Sequence, residues 1–347
     1  MRLAFPIACT FLVAAGCAPS RRLVPPAPPP SPRAVLVGPT LRQPWTQYRV
    51  ERPGAAPLDA YLSNTSERRP LVLLVPGGDC RPLFSIVVRD GKRRLRVTPL
   101  FADAAVENPP AVHIGAVERH GLKSFTDDPG ADLTCTAERG GIGKRERVQE
   151  LADAVLAFSR EPWVSEVILA GHGEGADVAA GAVRALGGHG VSAVGLFAGA
   201  GPTRFFDDVI EGMYDQDFRA VKQALDDEAR LAQRPDGGTY RDAPVEHTVS
   251  FALDSTPLDD LRATPVPVFV AHGTADTTAS AEGAEVFVAE MLRDRGVHVR
   301  FLLLPGLDHD FENAGGESWS RPVFDAFLEW ALSSDHATGT TVGLPAR

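Results

Sequence analysis

The chain has 347 residues, 44% hydrophobic and 23% charged, which suits one large α/β domain or two small ones with a real core. Its 35 basic and 45 acidic residues leave a net charge of −10, which argues against a nucleic-acid surface. Basic stretches stay as short as Lys92-Arg93-Arg94, a solvated loop.

Met1-Arg2 is a minimal positive region, and Leu3 to Ala15 is an apolar run too short to span a bilayer with these flanks. Residues 12–17, Leu-Val-Ala-Ala-Gly-Cys, resemble the lipobox of bacterial lipoproteins, where small residues precede a lipidated cysteine. The resemblance implies a signal peptide over 1–16, a lipid on Cys17 and a membrane-anchored domain in the bacterial cell envelope. Ala18 rather than Asp after that cysteine points to the outer membrane more than the inner. A plain secretory signal cut nearby is the alternative. Residues 19–32 are proline-dense and favour extended polyproline II, a stiff spacer of about 40 Å. Residues 17–44 are therefore expected to be a tether.

Globular patterning begins at Trp45. Gln47 to Arg52 and Leu58 to Ser63 alternate as antiparallel edge strands do, and Leu71 to Val75 is a run expected of a strand buried on both faces. Residues 84–98 are compatible with a hairpin turning at Asp90-Gly91. Ala111 to Val117 is the next buried strand, and a long loop follows to Gly141. Residues 143–160 place Val148, Leu151, Ala152, Val155 and Phe158 at helical spacing. Val164 to Ala170 is a strand leading through a glycine turn into a helix, Ala176 to Leu186, and Val191 to Phe197 is another strand. Residues 203–263 carry no buried-strand signal, and Phe205 to Leu231 reads as charged amphipathic helices. Strands at 265–271 and 297–304 alternate with helices at 279–295 and 319–332, and the tail from Ser333 is polar. The expectation is an α/β domain over 45–333, with a mostly parallel sheet covered on both faces and a flexible tail over 334–347.

Three short stretches fall just after predicted strands, where open α/β sheets place ligands. They are Gly171-His172-Gly173-Glu174-Gly175, then His272-Gly273-Thr274-Ala275-Asp276, then Asp308-His309-Asp310-Phe311. In this order they resemble the G-H-S-x-G, H-G-x-x-D and D-H-x-F motifs of the α/β-hydrolase superfamily, in its esterase and prolyl-oligopeptidase-like branch. The resemblance covers about residues 45–333 and implies roles position by position. Asp276 matches the triad acid, His309 the general base, and Gly78 and Glu174 the backbone N–H donors of an oxyanion hole. Residues 203–263 match a helical lid. Gly173 stands where the nucleophilic serine belongs, and glycine has no atom with which to attack a carbonyl.

Several readings of that substitution stay open. The domain is a pseudo-hydrolase that binds a small-molecule or peptide ligand. Alternatively, it is an active hydrolase of small esters or peptides, with Asp276 and His309 activating water, or with Ser124 or His172 attacking. A further possibility is that the serine is missing through strain variation or sequencing error. Glycine relieves the strained backbone of such a turn, so a lost nucleophile is tolerated there. A dinucleotide site at 171–175 lacks the required spacing, and no cofactor is called for. Asp308, Asp310 and His272 suggest a metal only weakly, since the triad explains the same residues. Cys80 and Cys135 stand to form a disulfide in an oxidising envelope, two free thiols being the alternative.

Overall fold

The computed structural model describes residues 31–39, 45–63, 67–78, 81–89, 91–103, 111–122, 125–126, 143–234, 238–240, 243–293 and 298–344. The expected signal peptide, Cys17, most of the proline-rich segment, Cys80, Ser124 and Cys135 lie outside the described residues. In chain order the elements are β1 (Arg33–Pro39), β2 (Trp45–Glu51), β3 (Leu58–Ser63), β4 (Arg69–Val75), β5 (Phe84–Arg89), β6 (Lys92–Val97), β7 (His113–Val117) and β8 (Phe125–Thr126). There follow α1 (Lys144–Phe158), β9 (Val164–His172), α2 (Glu174–Ala185), β10 (Val191–Phe197), α3 (Arg204–Tyr214) and α4 (Phe218–Gln233). The chain continues with β11 (Thr239–Tyr240), β12 (Ala243–Pro244), α5 (Val245–Ala252), α6 (Pro257–Leu261), β13 (Val268–Gly273), α7 (Ala281–Arg293), β14 (Val299–Leu304), α8 (Ser320–Ala331) and β15 (Gly339–Val342).

One ten-stranded sheet organises the domain, in the order β1-β2-β3-β7-β4-β9-β10-β13-β14-β15. Neighbours from β7 to β15 are parallel, and β1, β2 and β3 add an antiparallel edge. Period-two alternation splits each central strand between two cores. Leu71, Leu73, Val167, Leu169, Val194, Leu196, Val268 and Val270 pack with α1, α2 and α7. Val72, Leu74, Ile168, Ala170, Phe197, Phe269 and Ala271 pack against Phe324, Phe327 and Trp330 of α8. Both faces are covered, so the buried stretches of these strands, such as Leu71–Val75, are apolar at successive positions.

From β4 the chain moves outward to β7, then returns across β4 to β9. The strand order reverses there, opening a crevice at the carboxyl ends of β4 and β9, where such sheets hold ligands.

The sheet extends further in sequence than the patterning indicates. Within the segment 17–44, expected as a tether, Arg33–Pro39 is instead a strand that pairs with β2 from Arg33↔Glu51 to Pro39↔Thr46. Proline density stops at Pro32 and Ala-Val-Leu-Val can ladder. The 334–347 tail is likewise not free: Gly339–Val342 runs parallel to β14 from Arg300↔Gly339 to Leu303↔Val342. Arg300 Nη2 donates to Thr341 Oγ1 at 2.5 Å, and Trp330 Nε1 to the Ala337 carbonyl at 3.1 Å. The helical insertion has a small core of its own in Phe205, Leu231, Val245 and Ala252. Its last helix, α6, belongs instead to the main body, with Leu261 fully buried in the sheet's core. The hairpin over 84–98 forms, with Arg89 opposite Lys92.

Candidate active site

The turn between β9 and α2 is tight enough to dictate glycine at both ends. A Cβ on Gly171 would overlap the Gly175 carbonyl, and one on Gly175 would overlap the Val75 carbonyl of β4. Gly173 sits between them at φ 55°, ψ −127°, a conformation costly for any residue with a Cβ. Its N–H donates to the Phe197 carbonyl at 2.9 Å, and its carbonyl accepts from Ala176 N at 2.9 Å, so β10 and α2 hold the turn.

His309 faces this turn. A Cβ built on Gly173 would stand 3.2 Å from His309 Nε2. His309 Nδ1 lies 2.9 Å from Asp276 Oδ2. That contact assigns the Nδ1–H tautomer and leaves Nε2 as an acceptor aimed at position 173. Asp276 is fully buried and well supported: Thr278 N and Ala279 N donate to Oδ1 at 2.7 and 3.1 Å, and His272 Nε2 approaches Oδ2 at 3.3 Å. Burial raises the Asp276 pKa, but hydrogen bonds from His272 and His309 and the charge of His309 outweigh it and hold the carboxyl well below the usual range. Burial lowers the His309 pKa, yet Asp276 reverses the balance and raises it. His172 Nε2–H donates to the His309 carbonyl, 2.9 Å away, and desolvation followed by repulsion from His309 lowers its pKa.

Gly77 and Gly78, just past β4, form the opposite wall. Arg119 donates to both of their carbonyls, reaching Gly78 at 3.4 Å. Arg147 Nη2 donates to the preceding carbonyl, Pro76 O, at 2.9 Å. Glu174, the first residue of α2, folds its carboxylate back against Gly78, so that any Cβ on Gly78 would overlap it. His247 Nε2 lies 3.1 Å from Glu174 Oε1, Arg204 Nη1 lies 3.8 Å from Oε1, and Arg147 Nη1 lies 3.8 Å from Oε2. Burial opposes the charge on Glu174, but the His247 hydrogen bond and these cations pull its pKa down to about 2. Asp177, one turn further, is pushed up to about 7 by burial despite Lys144 at 3.7 Å. Together Gly78, Gly173, Glu174, Arg204, Phe251 and His309 border a cavity of about 230 Å³.

No family model matches the sequence, and no curated protein matches it. Solved structures do. The α/β hydrolase GrgF from Penicillium sp. sh18 aligns with 83% of this chain and 98% of its own at 16% identity and TM-score 0.54. The acylaminoacyl peptidase of Pyrococcus horikoshii aligns with 82% of the chain at 14% identity and TM-score 0.52, and the Porphyromonas gingivalis dipeptidyl peptidase 4 with 83% at 11% and 0.50. The chain spans 40% and 35% of the lengths of those two peptidases. The fold is that of the α/β-hydrolases.

In that fold the structure brings Gly173, Asp276, His309, Gly78 and Glu174 to one crevice. His272 turns to Asp276 and the Ala279 carbonyl. Asp308 accepts from Asp310 N and Glu312 N and closes its own loop. Among the described residues no three His, Cys, Asp or Glu side chains gather as metal ligands. Arg119, Arg147, Arg204 and His247 went unnoticed in the sequence. Arg119 had a usable signal, a basic residue right after a buried strand. Arg204 and His247 had none, since they come from an insertion with no strand to frame it. Glu174 was expected to serve through its backbone, and its side chain now occupies the wall beside Gly78.

Proposed function

We propose that this α/β-hydrolase domain is a pseudo-hydrolase that works by binding a small-molecule or peptide ligand in the elbow cavity. The observation that carries the reading is Gly173. The base and acid of a triad stand in hydrogen-bonding order behind it, and position 173 offers no atom to which an acyl group can be transferred. The Glu174 carboxylate beside Gly78 argues the same way, because negative charge there opposes a developing oxyanion. The test compares wild-type protein with Gly173→Ser on p-nitrophenyl esters and with a fluorophosphonate probe. Wild type should neither turn over nor label. Wild-type turnover abolished by His309→Ala would overturn the proposal.

That outcome defines the second reading, hydrolysis by water activated at His309, which the Asp276–His309 pair at 2.9 Å favours. We also propose an envelope lipoprotein, lipidated on Cys17 and lying at the outer membrane, with a Cys80–Cys135 disulfide. Mass spectrometry of the mature N-terminus tests the lipid, and thiol counts with and without reductant test the bridge. A free Cys17 or an unchanged thiol count speaks against each in turn.

A further inference from the structure

The basic groups around Glu174 are better placed for a free ligand than for the residue they hold. Arg147 arrives from α1, Arg204 from the first turn of α3 and His247 from α5. All converge on one carboxylate that is bound to the first residue of α2. Only His247 comes within hydrogen-bond distance, at 3.1 Å, whereas both guanidinium groups stop at 3.8 Å. Arg147 is 5% exposed, and its Nη1 has no hydrogen-bond acceptor among the described residues. Glu174 Oε2, the oxygen it faces, has no donor among the described residues. Glu174 thus balances the charge of the cluster, while Arg147 Nη2 is spent on the Pro76 carbonyl and Nη1 is left without an acceptor among the described residues. From its place at the start of α2 the Glu174 carboxylate stands 3.8 Å from both guanidinium groups, whereas an untethered carboxylate is free to meet them at normal hydrogen-bond length. The cavity of about 230 Å³ that Glu174 and Arg204 border has room for a small organic acid; Arg147 and His247 do not line it and are reached where the Glu174 carboxylate now lies. Glu174 and Arg204 both line it, and Arg204 is half exposed, so each has space to swing.

We infer that Arg147, Arg204 and His247 form a carboxylate-binding site, that Glu174 is its resident occupant, and that a carboxylate-bearing ligand enters by displacing the Glu174 side chain. This rests on the reading of the cavity as a binding pocket and adds the class of ligand and a built-in gate. Because Arg204 and His247 belong to the helical insertion, filling the site also ties that insertion to the sheet.

The test titrates the full chain with sodium propionate and with propionamide, its neutral isostere, by calorimetry. Wild type should bind propionate weakly. Glu174→Ala should bind it at least tenfold more tightly, and Glu174→Gln should gain in the same direction while keeping the side chain's shape. Adding Arg204→Ala to Glu174→Ala should erase most of the gain, and propionamide should bind none of them. A folded Glu174→Ala or Glu174→Gln protein that binds propionate no better than wild type overturns the inference, as does equal binding of propionamide. Ester turnover by wild type would sink the pseudo-hydrolase reading and leave this result untouched. Absence of propionate binding would do the reverse.

Discussion

Placing a serine at position 173 is the most informative perturbation, and the structure sets its size. At φ 55°, ψ −127°, a side chain on residue 173 introduces strain of about 1–3 kcal/mol. The new Cβ would also stand 3.2 Å from His309 Nε2, so the imidazole must retreat by a few tenths of an ångström against its 2.9 Å hydrogen bond to Asp276. Gly173→Ser should therefore lose about 1–3 kcal/mol of stability, roughly 2–10 °C in melting temperature for a domain of this size. Chemically, the variant places Oγ beside a base already oriented by a buried acid, so it should label with fluorophosphonate and show slow ester cleavage. Glu174 limits that gain. A unit charge about 4 Å from an oxyanion costs about 4 kcal/mol at an effective dielectric near 20, and the flanking cations cancel part of it. Gly173→Ser with Glu174→Gln should therefore react at least tenfold faster than Gly173→Ser alone. Scanning calorimetry and burst kinetics with p-nitrophenyl acetate measure both effects. A serine variant that melts higher than wild type would refute the strain argument. A folded serine variant without any labelling would refute the claim that His309 and Asp276 stand ready.

Four other outcomes follow from the same geometry. In Asp276→Asn, the His309 imidazole loses the group that raises its pKa, so its NMR titration should move to lower pH; an unmoved titration would show that Asp276 does not control it. Asp276 itself has a depressed folded pKa, so its stabilisation exists above the unfolded value near pH 4 and fades as pH falls through the folded one; wild type and Asp276→Asn should converge in strong acid. Asp177 has the opposite sign: its carboxyl is raised to about 7, so the folded state loses stability as pH climbs from about 4 to 7. Asp177→Asn should then gain on wild type over that range, by up to about 4 kcal/mol less whatever Lys144 loses, and a flat difference in urea midpoints would contradict it. Lys144 is 3% exposed and lies 3.1 Å from the buried Asp260, so Lys144→Met should cost about 3–5 kcal/mol, whereas a loss below 1 kcal/mol would show the pair to be dispensable.

How much of this was legible beforehand depended on the kind of signal. Leu71 to Val75 declared a buried strand because only a strand covered on both faces tolerates such a run, and Val164 to Ala170 declared a strand by leading straight into the glycine turn. The turn at 171–175 was legible because Gly171 and Gly175 answer local clashes that any chain making this strand-to-helix step must avoid. Asp276 and His309 stood out by lying right after consecutive strands, where backbone direction alone delivers them to one edge of the sheet. The edge strands were harder. Arg33–Pro39 sits behind prolines and Gly339–Val342 inside a polar tail, and each becomes a strand only because a neighbour offers it a ladder.

What tertiary structure alone decided is the chemistry around Glu174. Its direction toward Gly78, and the arrival of Arg147, Arg204 and His247 from separate helices, depend on how the insertion docks on the sheet. Electrostatic contacts of this kind have no period and no fixed spacing, so composition and pattern cannot foretell them. The sequence by itself determined the frame: a parallel sheet, a glycine elbow with glycine at its centre, and an acid and a histidine in order. Folding determined what the empty place at residue 173 faces, an imidazole set by Asp276 on one side and a carboxylate held by three basic groups on the other.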